Sequence, residues 1–302
     1  MAEKKQKSFR QILNNETVSG YVFAAPFVIG LLAFTLIPII VSFYYSFTDY
    51  NLVQSESFVG ITNYAKLFSD SRFLKSVRVT LVFVLLSVPL KLMFALLVAQ
   101  VLTKKTKAVT TYRSLYYVPS LIGGSIAVAL AWKELFGRRG LINQVLGAVG
   151  ASPISWFGDQ NLAMLPLILM AVWQFGSSMI IFAAGLKEIP TTYYEAAKID
   201  GAGRFHIFRK ITIPCLSPII LYNLIMQTIA GFMTFNSAFV ITKGGPNDAT
   251  NFYSLYVYNT AFKYYDMGYA SAMSWVMLVL ISAITFIIFK SSKMWVFSEA
   301  ED

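Results

Sequence analysis

The sequence is poor in the residues that carry most enzyme and metal chemistry. It contains one cysteine, Cys215, and one histidine, His206. A single cysteine excludes a disulfide within the chain, and a single histidine excludes a histidine cluster for a metal ion. The pattern G-x-x-x-x-G-K-[ST] is absent, so the chain does not bind ATP through a P-loop. We therefore expect no catalytic residue, no metal site and no cofactor in this chain.

Charged residues are also scarce, and they divide the chain into six long uncharged stretches. Charged residues make up 13% of the sequence and hydrophobic residues 56%, whereas about a quarter of residues in soluble domains are charged. A membrane-spanning helix needs about 20 mostly apolar residues, and helices of soluble proteins average only about 11–12. The sequence therefore predicts an all-α membrane protein with six transmembrane helices. The stretches are 17–48, 79–103 (interrupted by Lys91), 114–132, 160–186, 211–242 and 267–289.

The distribution of Lys and Arg predicts the orientation. When the N-terminus is placed in the cytoplasm, the inside segments carry more of these residues than the outside segments, as the positive-inside rule requires. We expect a multi-pass protein of the plasma membrane with both termini cytoplasmic. The predicted parts are a tail at 1–16, a transmembrane domain at 17–290 and a second tail at 291–302.

The loop at 187–214, between the fourth and fifth stretches, has a structured polar sequence. Residues 192–200 suit a short helix, and the glycines of 201–203 end it because glycine adopts left-handed turns readily. A second amphipathic helix at about 204–212 leads to Pro214. The sequence predicts a cytoplasmic helix–turn–helix. On these residues alone, an amphipathic helix bound to lipid is an equally good interpretation.

This loop carries a family signature, E-A-A-x3-G-x9-I-x-L-P. Ile213 stands where the signature has Leu, which keeps size and apolarity. The loop resembles that of membrane subunits of ATP-binding-cassette importers, in which it docks on a cytoplasmic ATPase. The matching positions are Glu195, Ala196, Ala197, Gly201, Ile211 and Pro214.

Further motifs resemble the carbohydrate uptake branch of these importers. The motif with a G-G-P turn after the fifth stretch is similar to the first of the two permease subunits in maltose-type importers. The motifs follow one another along most of the chain. They are FVGITNY at 58–64, GLIN at 140–143, WFGD at 156–159, AGLKEIP at 184–190, IDGA at 199–202, TKGGPNDAT at 242–250, YNTAF at 258–262 and GYASA at 268–272.

The resemblance implies a permease subunit that moves a sugar or oligosaccharide across the plasma membrane and is not itself an enzyme. Its implied partners are a second homologous permease, two copies of an ATPase that uses ATP and Mg²⁺, and an extracellular or periplasmic sugar-binding protein. The implied ATPase-coupling residues lie in the loop. They are Glu195, Ala196, Ala197, Asp200, Gly201, Ile211 and Pro214.

The same resemblance implies a sugar path along the fourth and fifth stretches, where aromatic and uncharged polar residues alternate. Sugars need flat apolar faces beside groups that hydrogen-bond hydroxyls. Polar residues that pack helices together are the competing interpretation. The candidate contacts are Trp173, Gln174, Phe175, Ser177, Ser178, Gln227, Phe232, Thr234, Phe235 and Asn236.

Lys91 is the one charge inside a predicted span, about 18 Å from either end of 79–103 at 1.5 Å per residue. An intramembrane charge is a functional-site hypothesis by default. Because related permeases often carry Lys here, we expect a structural role, with pore lining as the alternative.

Two other functions remain open at this stage. The first is the same machinery with another cargo, such as glycerol phosphate; the absence of Arg from the six stretches disfavours a phosphate site. The second is an ATP-independent channel or carrier, which would need no docking loop.

Overall fold

The computed structural model describes residues 16–52, 56–103 and 107–297. Of the predicted tails, residues 1–15 and 298–302 lie outside this part of the chain. Within it the backbone is almost entirely helical, and β-pairing is limited to isolated bridges between Thr48 and Phe58 and between Asn51 and Asp266. The all-α prediction is confirmed.

Fourteen α-helices follow one another in the described residues. The first seven are α1 Glu16–Leu31, α2 Ile37–Tyr45, α3 Thr62–Ser69, α4 Ser71–Val101, α5 Lys107–Ile122, α6 Ile126–Leu135 and α7 Leu141–Ala148. The others are α8 Met164–Trp173, α9 Gly176–Glu188, α10 Thr191–Ile199, α11 Arg204–Ile207, α12 Ile213–Phe232, α13 Tyr253–Tyr258 and α14 Met267–Ser292. Short π-helical segments occur at Leu32–Leu36, Phe208–Thr212, Ala238–Thr242 and Asn259–Lys263.

Four continuous helical segments are long and apolar enough to cross a membrane. They are Val18–Tyr45, Ser71–Val101, Arg204–Phe232 and Met267–Ser292. Two further pairs qualify only when each is taken as one bent span: α5 with α6, bent by 100°, and α8 with α9, bent by 42°. The described residues thus hold four to six candidate spans, and the count of six stays a prediction.

The fold divides into two compact units. The smaller one contains the described parts of residues 1–65 together with 260–275. In it the Asn63 side-chain amide donates to the carbonyls of Ser46, at 3.1 Å, and Thr48, at 2.8 Å. The Ser57 hydroxyl and backbone N–H both donate to the Asp49 carboxylate, which lowers the pKa of Asp49.

The larger unit contains residues 66–259 and the described part of 276–302. Its central helix is α4, which packs against α8, α9 and α12. Small residues permit close helix packing, as is usual in membrane proteins. A Cβ on Gly231 of α12 would lie 2.9 Å from Val84 Cγ2 of α4, and a Cβ on Gly185 of α9 would lie 2.0 Å from Ile219 Cδ1 of α12.

Candidate functional site

A cavity of about 240 Å³ lies in the larger unit, where three helical segments are interrupted. α5 gives way to α6 at Gly123 and Gly124, α8 gives way to α9 at Gln174, and α12 ends just before Met233. Broken helices at membrane depth are tolerated where they line a cavity, and such breaks form binding sites in many transporters. Five of the ten predicted sugar contacts line it: Gln174, Gln227, Thr234, Phe235 and Asn236.

Gly123 provides the space for the Gln174 side chain. A Cβ on Gly123 would lie only 2.2 Å from Gln174 Cδ. Nε2 of the Gln174 side chain donates to the Met170 carbonyl at 3.2 Å, and the backbone carbonyl of Gln174 accepts from the Ser120 hydroxyl at 3.1 Å. These contacts hold Gln174 at the break between α8 and α9.

The segment after α12 closes the cavity from the other side. Asn236 Nδ2 donates to the Gly124 carbonyl at 2.7 Å and so joins this segment to the break between α5 and α6. Phe235 stacks on Phe239, with ring centroids 5.0 Å apart and planes 20° from parallel. Phe235 therefore presents a fixed aromatic surface beside polar amides, an arrangement that suits the apolar face of a sugar ring.

The other five predicted contacts lie outside the cavity lining: Trp173, Phe175, Ser177, Ser178 and Phe232. Phe175 is buried and contacts Phe94 and Tyr116 edge-on or tilted. Phe232 is 1% exposed. The burial of Phe175, Ser178 and Phe232 fits helix packing, the competing interpretation, whereas Trp173 and Ser177 are only partly buried. A role in sugar binding stays a prediction for them.

Several residues outside the predicted sugar contacts also line the cavity, among them Lys91, for which the sequence left pore lining as the alternative to a structural role. Ser87 and Lys91 reach it from α4, and the two glycines reach it from the break after α5. Ser87 and Lys91 are four residues apart and therefore share one face of the helix. Lys91 is the only charged side chain among the described residues that line this cavity. The position of Lys91 on the cavity wall fits the alternative interpretation, pore lining. The structural role that we expected stays a prediction.

The loop between α9 and α12 has well-formed helix termini. α10 ends at Ile199, and Gly201 follows with φ +76°. The N–H of Ala202 donates to the Ala197 carbonyl at 2.9 Å, and the N–H of Gly201 donates to the Lys198 carbonyl at 3.1 Å. This pair of bonds is the Schellman motif, which requires a left-handed residue at the Gly201 position. The prediction that a glycine ends this helix is therefore explained by the left-handed backbone of Gly201.

The second half of the loop runs without a break into a candidate membrane span. α11 continues through the π-helical segment Phe208–Thr212 into α12. Where the sequence predicted a separate helix at about 204–212, the structure has the beginning of Arg204–Phe232. The Tyr194 hydroxyl lies 3.3 Å from the Thr212 hydroxyl and connects α10 to this segment.

A surface groove of about 430 Å³ lies between the two halves of the loop. Five of the seven predicted coupling residues line it: Ala196, Ala197, Asp200, Ile211 and Pro214. Glu195 and Gly201 lie outside the groove lining and are exposed. Four of the six signature residues thus line one groove, and the small side chains of Ala196 and Ala197 leave that part of it open.

Two large apolar residues of the loop are exposed and were not among the predicted coupling residues. The exposed fraction is 86% for Ile199 and 75% for Phe205. Both flank the Gly-Ala-Gly turn at 201–203, Ile199 before it and Phe205 after it. Exposed apolar patches mark sites of interaction with proteins or membranes, and these two side chains are candidates for such a contact.

The C-terminal segment also reaches the groove. The Phe297 N–H donates to the Ser217 hydroxyl at 2.7 Å, and that hydroxyl donates to the Pro214 carbonyl at 2.6 Å. Phe297 is part of the groove lining. The end of the described chain therefore contributes to the same surface as the loop.

The G-G-P motif is fixed to the first turns of α4. The Arg72 guanidinium forms a two-bond ion pair with Asp248, at 3.2 Å from Nε and 2.9 Å from Nη2. Lys75 Nζ donates to the Asn247 carbonyl. Farther along the helix, the Tyr253 N–H donates to the Thr80 hydroxyl at 2.8 Å. These bonds hold residues 247–253 against α4.

Comparison with known proteins gives a consistent result. Residues 57–293 match the family described as "Binding-protein-dependent transport system inner membrane component". The probable ABC transporter permease protein YesP of Bacillus subtilis (strain 168) is 49% identical over 305 residues, covering 100% of this chain and 97% of that protein. The trehalose/maltose transport system permease protein MalF of Thermococcus litoralis is 33% identical over 281 residues, covering 91% of this chain and 94% of that protein.

A solved structure shares the fold. It is a bacterial alginate ABC transporter in complex with an alginate pentasaccharide-bound periplasmic protein. The similar chain in it has a TM-score of 0.78 and 21% sequence identity, and the match covers 90% of this chain and 93% of that one.

Proposed function

The chain belongs to the family of binding-protein-dependent transport system inner membrane components, and from this membership we propose that it moves a sugar or an oligosaccharide through the plasma membrane. The observation that carries the proposal is the polar cavity at three helix breaks, with Phe235 beside the amides of Gln174, Gln227 and Asn236. The permease of Thermococcus litoralis named for trehalose and maltose supports this class of cargo.

The cavity residues offer a sugar two kinds of contact, hydrogen bonds from amides and an apolar face from an aromatic ring. The side-chain amides of Gln174 and Gln227 form hydrogen bonds with sugar hydroxyls. These bonds replace the hydrogen bonds to water that the hydroxyls lose on entering the cavity. Phe235 offers a flat apolar face to the C–H side of a sugar ring. Ligand sites commonly combine apolar walls with a few placed polar groups.

The cavity of a single chain is smaller than most ligand sites, which measure about 300–1,000 Å³. A second, homologous permease supplies the opposite wall and completes a pathway along the interface of the two subunits. An external sugar-binding protein delivers the cargo to its outer opening. Both termini face the cytoplasm in this arrangement.

The energy comes from a separate ATPase, two copies of which serve the pair of permeases and hold ATP and Mg²⁺. The groove lined by Ala196, Ala197 and Pro214 receives a segment of the ATPase. Because the open and closed states of the ATPase contact the loop differently, each state favours one orientation of the cavity. The direct continuation of the loop into α12, which ends at the cavity, gives that motion a rigid path.

Affinity purification from native membranes tests this assignment. This chain is isolated in mild detergent, and co-purifying proteins and small molecules are identified by mass spectrometry. The proposal predicts a second permease and an ATPase, with a retained sugar. Reproducible isolation of this chain alone in a transport-competent form would contradict it and favour a channel or carrier.

A further inference from the structure

A second groove, of about 850 Å³, lies between α4 and α8 in the larger unit. It shares no lining residue with the cavity at the helix breaks. Val82 and Leu86 line it from α4, and Leu165 and Ile168 line it from α8. Three of these four side chains are exposed. The groove is therefore an open apolar surface on two helices that belong to candidate membrane spans.

The polar groups of this groove are gathered at one end. Lys75 and Arg78 belong to the first turns of α4, and Gln160 and Asn161 come just before α8 begins. Asn247 lies with them, and its side-chain amide donates to Gln160 Oε1 at 3.3 Å. The described lining therefore carries two positive charges and three amides, and neither an Asp nor a Glu is part of it.

The polar end lies at the depth of lipid headgroups. α4 has 31 residues, and at 1.5 Å per residue it is about 46 Å long, whereas the hydrocarbon core of a bilayer is about 30 Å thick. An upright helix centred in that core extends about 8 Å beyond it at each end, which places the boundary between Lys75 and Arg78. Leu86 lies about 12 Å deeper than Arg78, at the depth of the acyl chains.

Two of the polar side chains are free to bind a ligand. Neither the Arg78 guanidinium nor the Asn161 side-chain amide makes a hydrogen bond or an ion pair to the described residues. Lys75 donates to the Asn247 carbonyl and keeps further N–H groups, because an ammonium has three donors. Cations and amides above an apolar groove match a ligand with an anionic group, hydroxyls and a hydrocarbon chain.

We propose that this groove binds one anionic phospholipid of the phosphatidylglycerol class. The phosphate pairs with the Lys75 ammonium and the Arg78 guanidinium, which are strong phosphate-binding groups. The glycerol hydroxyls bond to amides such as that of Asn161, and an acyl chain lies along Val82 and Leu86. With both termini in the cytoplasm, as proposed above, the lipid belongs to the outer leaflet. The site does not depend on which cargo the chain carries.

The side of α4 that forms the groove favours a lipid over the partner permease. The proposed partner closes the cavity that Lys91 lines. Val82 is nine residues before Lys91, which is about 2.5 turns of α-helix and therefore the opposite side of α4. An apolar protein surface on the groove would also leave the charges of Lys75 and Arg78 without an anion, whereas a phosphate pairs with them.

The test uses the complete importer, stripped of lipid in detergent, and counts bound phospholipids by native mass spectrometry during a titration. Three lipids with identical oleoyl chains are compared. Phosphatidylglycerol has the negative charge and the hydroxyls, phosphatidylmethanol has the charge alone, and phosphatidylcholine has no net charge. Soluble glycerol phosphate is added as a competitor, because it carries the headgroup chemistry without acyl chains.

Two variants with matched controls locate the site. Arg78→Gln removes the unpaired charge, and Arg139→Gln removes an exposed arginine outside the groove lining. Val82→Trp fills the apolar part of the groove, and Leu85→Trp adds the same ring at an exposed position of α4 outside the lining. Lys75 is left unchanged because it also holds the G-G-P segment.

We expect phosphatidylglycerol to bind about tenfold more tightly than phosphatidylcholine, since hydrogen bonds to charged groups are the strong ones. Phosphatidylmethanol should lie between them. Arg78→Gln should remove most of the preference for anionic lipid, and Val82→Trp should weaken both anionic lipids, whereas the two control variants should bind as the wild type does. Raised salt should weaken phosphatidylglycerol binding, and glycerol phosphate should not displace the lipid.

Four results would overturn the inference. Equal binding of phosphatidylglycerol and phosphatidylcholine is the first, and displacement by glycerol phosphate, which indicates a site for a soluble anion, is the second. Unchanged lipid binding in both Arg78→Gln and Val82→Trp would place the lipid elsewhere. Loss of the permease pair in Arg78→Gln, with no lipid preference in the wild type, would assign the groove to the partner permease. If one variant fails to assemble, the lipid comparison in the wild type and the other variant still decide.

Discussion

Asn236 Nδ2 lies 2.7 Å from the carbonyl oxygen of Gly124, and this hydrogen bond joins two interrupted helices across 112 residues of sequence. One partner is a backbone carbonyl left free where α5 ends, and the other follows the end of α12. The bond thus fixes the distance between two walls of the cavity, and the side chain that makes it is itself exposed there.

Asn236→Ala should reduce sugar uptake without preventing assembly. The change removes a hydrogen bond worth about 1 kcal/mol and leaves the two walls free to separate. We expect an uptake KM several-fold higher, measured in proteoliposomes that contain the whole importer. Asn236→Gln keeps the amide but shifts it, and it should give an intermediate value. An unchanged KM in both variants would contradict a role of this bond in shaping the cavity.

Gly123→Ala should displace the Gln174 side chain. The added methyl would lie 2.2 Å from Gln174 Cδ, which must move because the opposing atom belongs to a flexible side chain. We expect sugar binding to weaken while the complex remains folded. Gly124→Ala is the matched comparison, since no heavy atom lies within 4 Å of its added Cβ. An effect of Gly124→Ala as large as that of Gly123→Ala would contradict the steric explanation.

Gly201→Val should destabilise the end of α10. The position has φ +76°, and left-handed backbone costs a side-chain-bearing residue roughly 1–2 kcal/mol. Gly203 has φ −71° and open space around its Cβ, so Gly203→Ala should be tolerated. Hydrogen exchange of residues 191–202 measures the difference. Equal protection in the two variants would count against the Schellman geometry.

Ile199→Ser and Phe205→Ser should each weaken capture of the ATPase. Truncating an apolar anchor that becomes buried in an interface costs about 2 kcal/mol or more, so we expect at least about a tenfold loss of affinity. Leu141→Ser is the control, because Leu141 is 57% exposed on a segment that is predicted to be external. Titration of purified permease pairs with ATPase gives the affinities, and no loss in either loop variant would mean that these side chains do not contact the ATPase.

The all-α class and the loop surface were predictable because both depend on residues that are close together in the sequence. Long uncharged stretches indicate membrane helices, and Gly201 ends α10 by its own backbone preference. The signature residues are close in sequence, so the groove that Ala196 and Pro214 share follows from one short turn. Phe235 and Asn236 became candidates because the family resemblance implies a sugar path along the fifth stretch, and both residues do line the cavity.

The cavity wall contributed by Gly123 was not predictable in the same way, and for Lys91 the sequence gave pore lining only as the alternative to a structural role. Gly123 matters because Gln174 approaches it from a helix far along the chain, and no local pattern records that approach. The side of α4 that Lys91 occupies depends on helix rotation. α4 carries apolar residues both on the side that faces lipid and on the side that packs against other helices. The periodic pattern that shows which side of a soluble helix faces the core is therefore weak here.

The most direct test of the account measures sugar-stimulated ATP hydrolysis by the complete importer with the Glu195→Lys and Gly201→Asp variants. Both residues are exposed on the loop that is proposed to contact the ATPase. Glu188→Lys serves as the control. It makes the same charge change as Glu195→Lys, but at the end of α9 and outside the groove lining. The account predicts that both loop variants lose stimulation while the permease pair still assembles and the control remains coupled. Normal stimulation in both loop variants would contradict it.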